Sequence, residues 1–141
     1  MIQQGLTTSF KQNLLAGTQG LESRPLKIAL YTGLADIGPD TLAYKTENEV
    51  VGTGYTAGGK LLTGLTILAD LNSGTVYANF DNVAWPEADF TARGALIYDD
   101  SDLLKKSVAV LDFGADRLFT PTNNTVTMPV NSATTALIRF P

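Results

Sequence analysis

Cysteine and histidine are both absent from this 141-residue chain, and only 17% of its residues carry charge. Without cysteine there is no disulfide, no thiolate nucleophile and no Cys/His zinc site. Without histidine no Ser-His-Asp triad can be assembled, and no imidazole serves as a general base near neutral pH. No apolar run approaches the ~18 residues that span a bilayer. Met1-Ile-Gln-Gln-Gly5 carries no basic region and leads into no apolar stretch, so no signal peptide is expected. Ten Lys and Arg stand against 14 Asp and Glu, for a formal net charge of −4. Attraction to nucleic acid or to an anionic membrane is not expected from that balance. The absences point away from an enzyme, and no cofactor or metal is expected.

What is present suits a packed β protein. Hydrophobic residues make up 44% of the chain. A chain of this length should bury roughly 68–70% of its unfolded surface. Leu6–Gly17 reads as a short helix, with Thr7 or Thr8 as its cap and Gly17 as its stop. Phe10 and Leu14 lie one turn apart on one face, with Leu15 beside them. From Leu26 the period changes to 2, and Leu26, Ile28 and Leu30 share one strand face.

Gly33 to about Lys60 reads as a long connector with at most a short strand. Leu61–Leu71 and Thr75–Phe80 are expected to form a hairpin across Asn72-Ser-Gly74. Asp81–Thr91 reads as a loop, followed by strands at Ala92–Tyr98 and Ser107–Phe113. Thr125–Val130 and Thr134–Phe140 are expected to pair, with Pro129 at an edge or bulge. Eight or so short strands without a βαβ pattern predict a mainly β fold, an antiparallel β-sandwich of jelly-roll form with a short N-terminal helix. The expected organisation is a helical arm over residues 1–20 and one sandwich domain over 21–141.

Several motifs fail on context. Gly54-Tyr-Thr-Ala-Gly-Gly59-Lys60 has the spacing of a phosphate-binding loop, but Leu61 stands where Ser or Thr must hold Mg²⁺. The residues that follow have strand rather than helix period. The overlapping Gly52-x-Gly54-x-x-Ala57 fails the same test, so both read as a turned glycine loop. Asp99-Asp100-Ser101-Asp102 offers oxygen ligands but lacks the Gly and Glu of a calcium loop, and it reads as a polar hairpin tip. Asp36, Asp40, Glu47, Glu49, Glu87 and Asp89 are expected in solvated loops, with no pair marked by its spacing. Trp85 is either a cap on the core or an interface anchor.

The chain resembles a family of small virion proteins of tailed bacteriophages. The resemblance runs through Gln4-Gly-Leu-Thr-Thr-Ser-Phe-Lys-Gln12, Leu26-Lys-Ile-Ala-Leu-Tyr-Thr32 and Asn48-Glu-Val-Val-Gly-Thr-Gly-Tyr-Thr-Ala-Gly-Gly-Lys60. It continues in Phe90-Thr-Ala-Arg-Gly-Ala-Leu-Ile-Tyr98 and Ala109-Val-Leu-Asp-Phe-Gly114. It implies a capsid cement or decoration protein, a jelly roll that binds the major capsid protein lattice on the outer surface of the head. It implies no catalytic residue, and an oligomer, dimer or trimer, made in the host cytoplasm and carried on the virion. A tail or fibre component that contacts host glycans is the alternative.

The helix and the connector are the natural contact elements, because one is amphipathic and the other is long for a structureless link. The expected interface residues are Leu6, Phe10 and Leu14 on the first, Tyr44 and Tyr55 on the second, and Trp85. Deletion of residues 1–20 is then expected to leave a folded domain. The opposing reading has the helix plugging the core.

Overall fold

A computed structural model describes residues 1–101 and 103–141. In chain order the elements are β1 (Gly5–Leu6), α1 (Thr8–Leu15), β2 (Leu26–Tyr31), β3 (Lys60–Leu61), β4 (Thr66–Asp70) and β5 (Thr75–Asn79). They continue with β6 (Val83–Ala84), β7 (Phe90–Asp99), β8 (Ser107–Phe119), β9 (Thr125–Val126) and β10 (Ile138–Phe140). The fold is mainly β, its sheets are antiparallel, and one short helix lies near the N-terminus. The described sheets have five, three and two strands, so the two four-stranded sheets of a jelly roll are not among them. Among the described residues no helix is long and apolar enough to cross a membrane.

The chain clusters into two compact units. The first comprises Met1–Leu61 and Trp85–Asn124, and the second Leu62–Ala84 and Thr125–Pro141. The first unit holds the five-stranded sheet, in the order β1-β8-β7-β2-β3. β2 is buried on both faces rather than one. One side packs Ala29 and Tyr31 with Ile2, Ala35, Ile37, Leu96, Tyr98 and Val110. Ile28 and Leu30 occupy the other side and are also fully buried.

Residues 1–20 do not stand apart as an arm. β1 pairs with β8, Leu6 opposite Ala109, and so belongs to the sheet. The Thr7 hydroxyl caps α1 by accepting from the Phe10 amide at 3.3 Å. Phe10 is 0% exposed, a burial that contributes about 1.5–3 kcal/mol. Ser107 ties the helix down, because its hydroxyl donates to Thr7 Oγ1 at 2.9 Å. Gln19 donates to the Ser107 carbonyl at 3.0 Å and accepts from Asn13 at 3.0 Å. Thr7, Gln19 and Ser107 are all buried, so these bonds satisfy polar groups that water does not reach.

The second unit holds a three-stranded sheet, β10-β5-β4, and a two-stranded one, β6-β9. Its core contains Leu62, Ala78, Phe80, Val83, Val126, Met128, Ala136 and Ile138. The expected hairpin across Asn72-Ser-Gly74 forms as β4 and β5. The single strand expected over Leu61–Leu71 does not form, because residues 62–65 are irregular between β3 and β4. Gly64 has φ 69°, and a Cβ there would lie 2.2 Å from the Asp81 carboxyl carbon, so the backbone turns away.

The last expected pair is also corrected. β9 pairs with β6, β10 pairs with β5, and Pro129 lies outside any strand. Pro129 still bonds as an acceptor, since Asn79 Nδ2 donates to its carbonyl at 2.6 Å.

Candidate functional site

The connector between β2 and β3 contains no strand of its own, yet it is tightly held. Tyr31 in β2 bridges to Glu49, and Ala43 bridges to Lys106. The organising group is Glu49, expected in solvent and found only 6% exposed. Its carboxylate accepts from the Tyr44 hydroxyl at 2.7 Å, the Tyr55 hydroxyl at 3.0 Å and the Gly58 amide at 2.6 Å. Tyr55 also accepts from the Leu30 amide at 2.9 Å, which fastens the connector to β2.

Two further phenols close the cluster. Tyr98 of β7 donates to the Gly58 carbonyl at 2.7 Å, and Tyr31 donates to the Lys45 carbonyl at 2.6 Å. Tyr44 and Tyr98 stack with ring centroids 4.7 Å apart.

In the glycine loop the Gly58 amide is thus engaged by the chain's own carboxylate. Gly59 makes the close approach to β2 possible. It has φ 79°, and a Cβ there would sit 1.8 Å from the Ile28 carbonyl oxygen. Lys60 does not reach toward a phosphate position, because its ammonium lies 5.8 Å from the Trp85 ring centroid.

Burial raises the pKa of all four phenols above the ordinary tyrosine value. The Glu49 charge adds to burial at Tyr31. A hydrogen bond to Glu49 adds at Tyr44, and the Glu49 charge and bond add at Tyr55. At Tyr98 the second cause is Asp100, with Glu49 after it. Hydroxyls that hold their protons this firmly donate hydrogen bonds and are poor proton-transfer groups near neutral pH. The cluster latches the connector.

The expected contact residues fare differently. Trp85 is 1% exposed and packs against Tyr55 and Phe119 at centroid distances of 6.4 and 6.0 Å. Trp85 and Phe10 are core residues and are not exposed to a partner. Tyr44 and Tyr55 are half-buried and brought together on Glu49. Leu6 and Leu14 are half-buried. The exposed apolar residues of the connector, Leu34, Leu42 and Val51, are not among the expected contact residues.

At the hairpin tip the acids meet cations of the chain itself. Asp99 is 0% exposed and accepts from Arg24 at 3.0 Å and from Ser101. Asp100 pairs with Lys105 at 2.6 Å and Lys27 at 3.3 Å. Asp102 lies outside the described residues. Among the described residues no group of three or more acidic side chains is placed to hold a metal ion. A shallow hollow of about 420 Å³ is lined by Thr32, Gly33, Leu34, Thr91, Arg93 and Asp116. It contains an Arg93–Asp116 ion pair at 3.6 Å.

No family model, curated protein or solved structure matches this chain.

The Glu49 cluster escapes a reading by motif because its members lie at 31, 44, 49, 55, 58 and 98. A usable signal does exist in the composition of the connector. Four of the five tyrosines fall in it or in the strands it packs on, which is unusual for a loop meant only for solvent.

Proposed function

We propose that the protein is a non-enzymatic capsid cement protein that binds the major capsid protein lattice of a tailed phage head as an oligomer. The observation that carries this reading is a set of five family-like segments that run in order between Gln4 and Gly114. Those segments include Tyr31, Glu49, Tyr55, Gly58 and Tyr98 of the latch, whereas Tyr44 lies outside them. The resemblance therefore falls on residues that set the framework of the first unit.

The latch also suits a binding role. It fixes the connector while Leu34, Leu42 and Val51 remain exposed. A preordered apolar loop loses little conformational entropy on docking.

Purified virions test the proposal. Mass spectrometry should find the chain, and imaging of the shell should place it on the head at a repeating lattice position. Its absence from the head overturns the reading. Leu42→Asp or Val51→Asp should abolish capture by heads lacking the protein while leaving the thermal midpoint unchanged.

A further inference from the structure

The free sheet edges of this chain are not alike. In the first unit the sheet ends on β1 and β3, each only two residues long. The flank of β8 beyond β1 carries Asp112, Asp116 and Arg117, and its register with β7 breaks between Ala92 and Gly94. Short, charged or irregular edges discourage pairing with another chain.

β4 is longer and unbroken, and what meets it from outside its hairpin is Asn131, whose Nδ2 donates to Thr66 Oγ1 at 2.9 Å. Among the described residues β4 ends its sheet, next to β5. It reads Thr66-Ile-Leu-Ala-Asp70, and its one charge is at the last position. The Asp70 carboxylate is engaged by the Asn72 amide at 3.0 Å and the Ser73 hydroxyl at 2.9 Å. Ile67 and Leu68 are 48% and 47% exposed on opposite faces.

The sheet face that carries Ile67 is apolar across all three strands. Ile67 lies opposite Ala78, which lies opposite Ile138. Ala69 lies opposite Val76, which lies opposite Phe140. Ala78 and Ile138 are buried, whereas Val76 is 44% exposed and Ala69 is exposed. Cover on this face therefore stops short of the β4 edge.

We infer that this edge is a self-association surface, on which a second copy of the chain pairs its own β4 antiparallel about a two-fold axis at Leu68. Directly opposed residues share a face, so an axis through a residue keeps the apolar face of both copies on one side. Ile67 then meets Ala69 of the second copy, and the two apolar rows run on into that copy. Thr66 meets Asp70, so the acids are kept apart, whereas a parallel alignment in register sets Asp70 beside Asp70. A strand of this length buries less than the ~800 Å² per partner of a standard interface. The dimer is therefore concentration-dependent. It concerns the free protein, so its failure leaves the virion reading standing, and the reverse also holds.

Sedimentation equilibrium of the full chain over a concentration series tests the pairing. The wild type should fit a monomer–dimer equilibrium. Residue 66 faces Asp70 of the other copy twice per dimer. Thr66→Lys should tighten association and Thr66→Glu should weaken it, with dissociation constants about tenfold apart. Leu68→Lys, which sets like charges across the axis, should give a monomer with an unchanged thermal midpoint. If Leu68→Lys does not fold, the two Thr66 variants still decide the matter. A wild type that stays monomeric, including one that binds only a foreign strand, overturns the inference. So do Lys and Glu at residue 66 that shift association in the same direction.

Discussion

Glu49 is sealed from water and satisfied by two phenols and one amide. An unmade buried hydrogen bond costs about 1–3 kcal/mol. Glu49→Ala removes the acceptor of all three and should lower unfolding free energy by about 3 kcal/mol in urea titration. Glu49→Gln keeps one acceptor oxygen and should cost roughly half as much. The four phenols give an alkaline signature. Their folded pKa values lie above those of the unfolded chain, so stability is complete below about pH 10. It is lost as pH rises further, because only the unfolded chain then ionises. Phenolate absorbance from these four tyrosines should therefore appear together with unfolding. Asp100 gives the opposite sign. The adjacent Lys105 ammonium holds its carboxyl below the ordinary value. Its contribution is present above about pH 4 and lost as pH falls through the folded value. Asp100→Asn should remove that acid-side loss from a pH series of thermal midpoints.

Among the elements, the short helix is the clearest case of a local pattern with two readings. Its cap and apolar face were legible in Thr7 or Thr8, Phe10 and Leu14, but the expected span of Leu6–Gly17 shortens to Thr8–Leu15 because Leu6 pairs in β1. Those residues look the same whether the partner is another chain or the helix's own sheet. Buried Phe10, the β1–β8 pairing and the Ser107 network decide for its own sheet. Deletion of residues 1–20 should therefore unfold the first unit, seen as loss of the blue-shifted emission of Trp85. The connector is held as firmly at Gly59. Gly59→Ala forces a side chain into the Ile28 carbonyl at positive φ. The left-handed backbone alone costs about 1–2 kcal/mol, so the thermal midpoint should fall by several degrees at least. The strand expected over Leu61–Leu71 shows the limit of periodicity. Apolar residues continue through Leu62 and Leu65, but Gly64 turns the chain and its two ends join different units.

For the molecule as a whole, low charge sets how it responds to solvent. Most ion pairs among the described residues are at least partly open to water, and such pairs contribute about 0–1 kcal/mol. Raising ionic strength from about 0.1 M to about 1 M should therefore move the unfolding free energy by less than about 1 kcal/mol. A larger loss would assign real weight to the Arg24–Asp99 pair, whose acid is fully buried. The missing cysteine and histidine, the strand periods of β2, β5, β7 and β8, and the turn at Asn72-Ser-Gly74 were all decided by sequence, because each depends on residue type or on near neighbours. Tertiary structure alone decided that Glu49 is buried, that Trp85 is core, and that β10 pairs with β5 rather than with β9. Each of those outcomes depends on groups far apart in the chain, and the spacing of residues along one strand or loop carries no record of which distant surface will cover it.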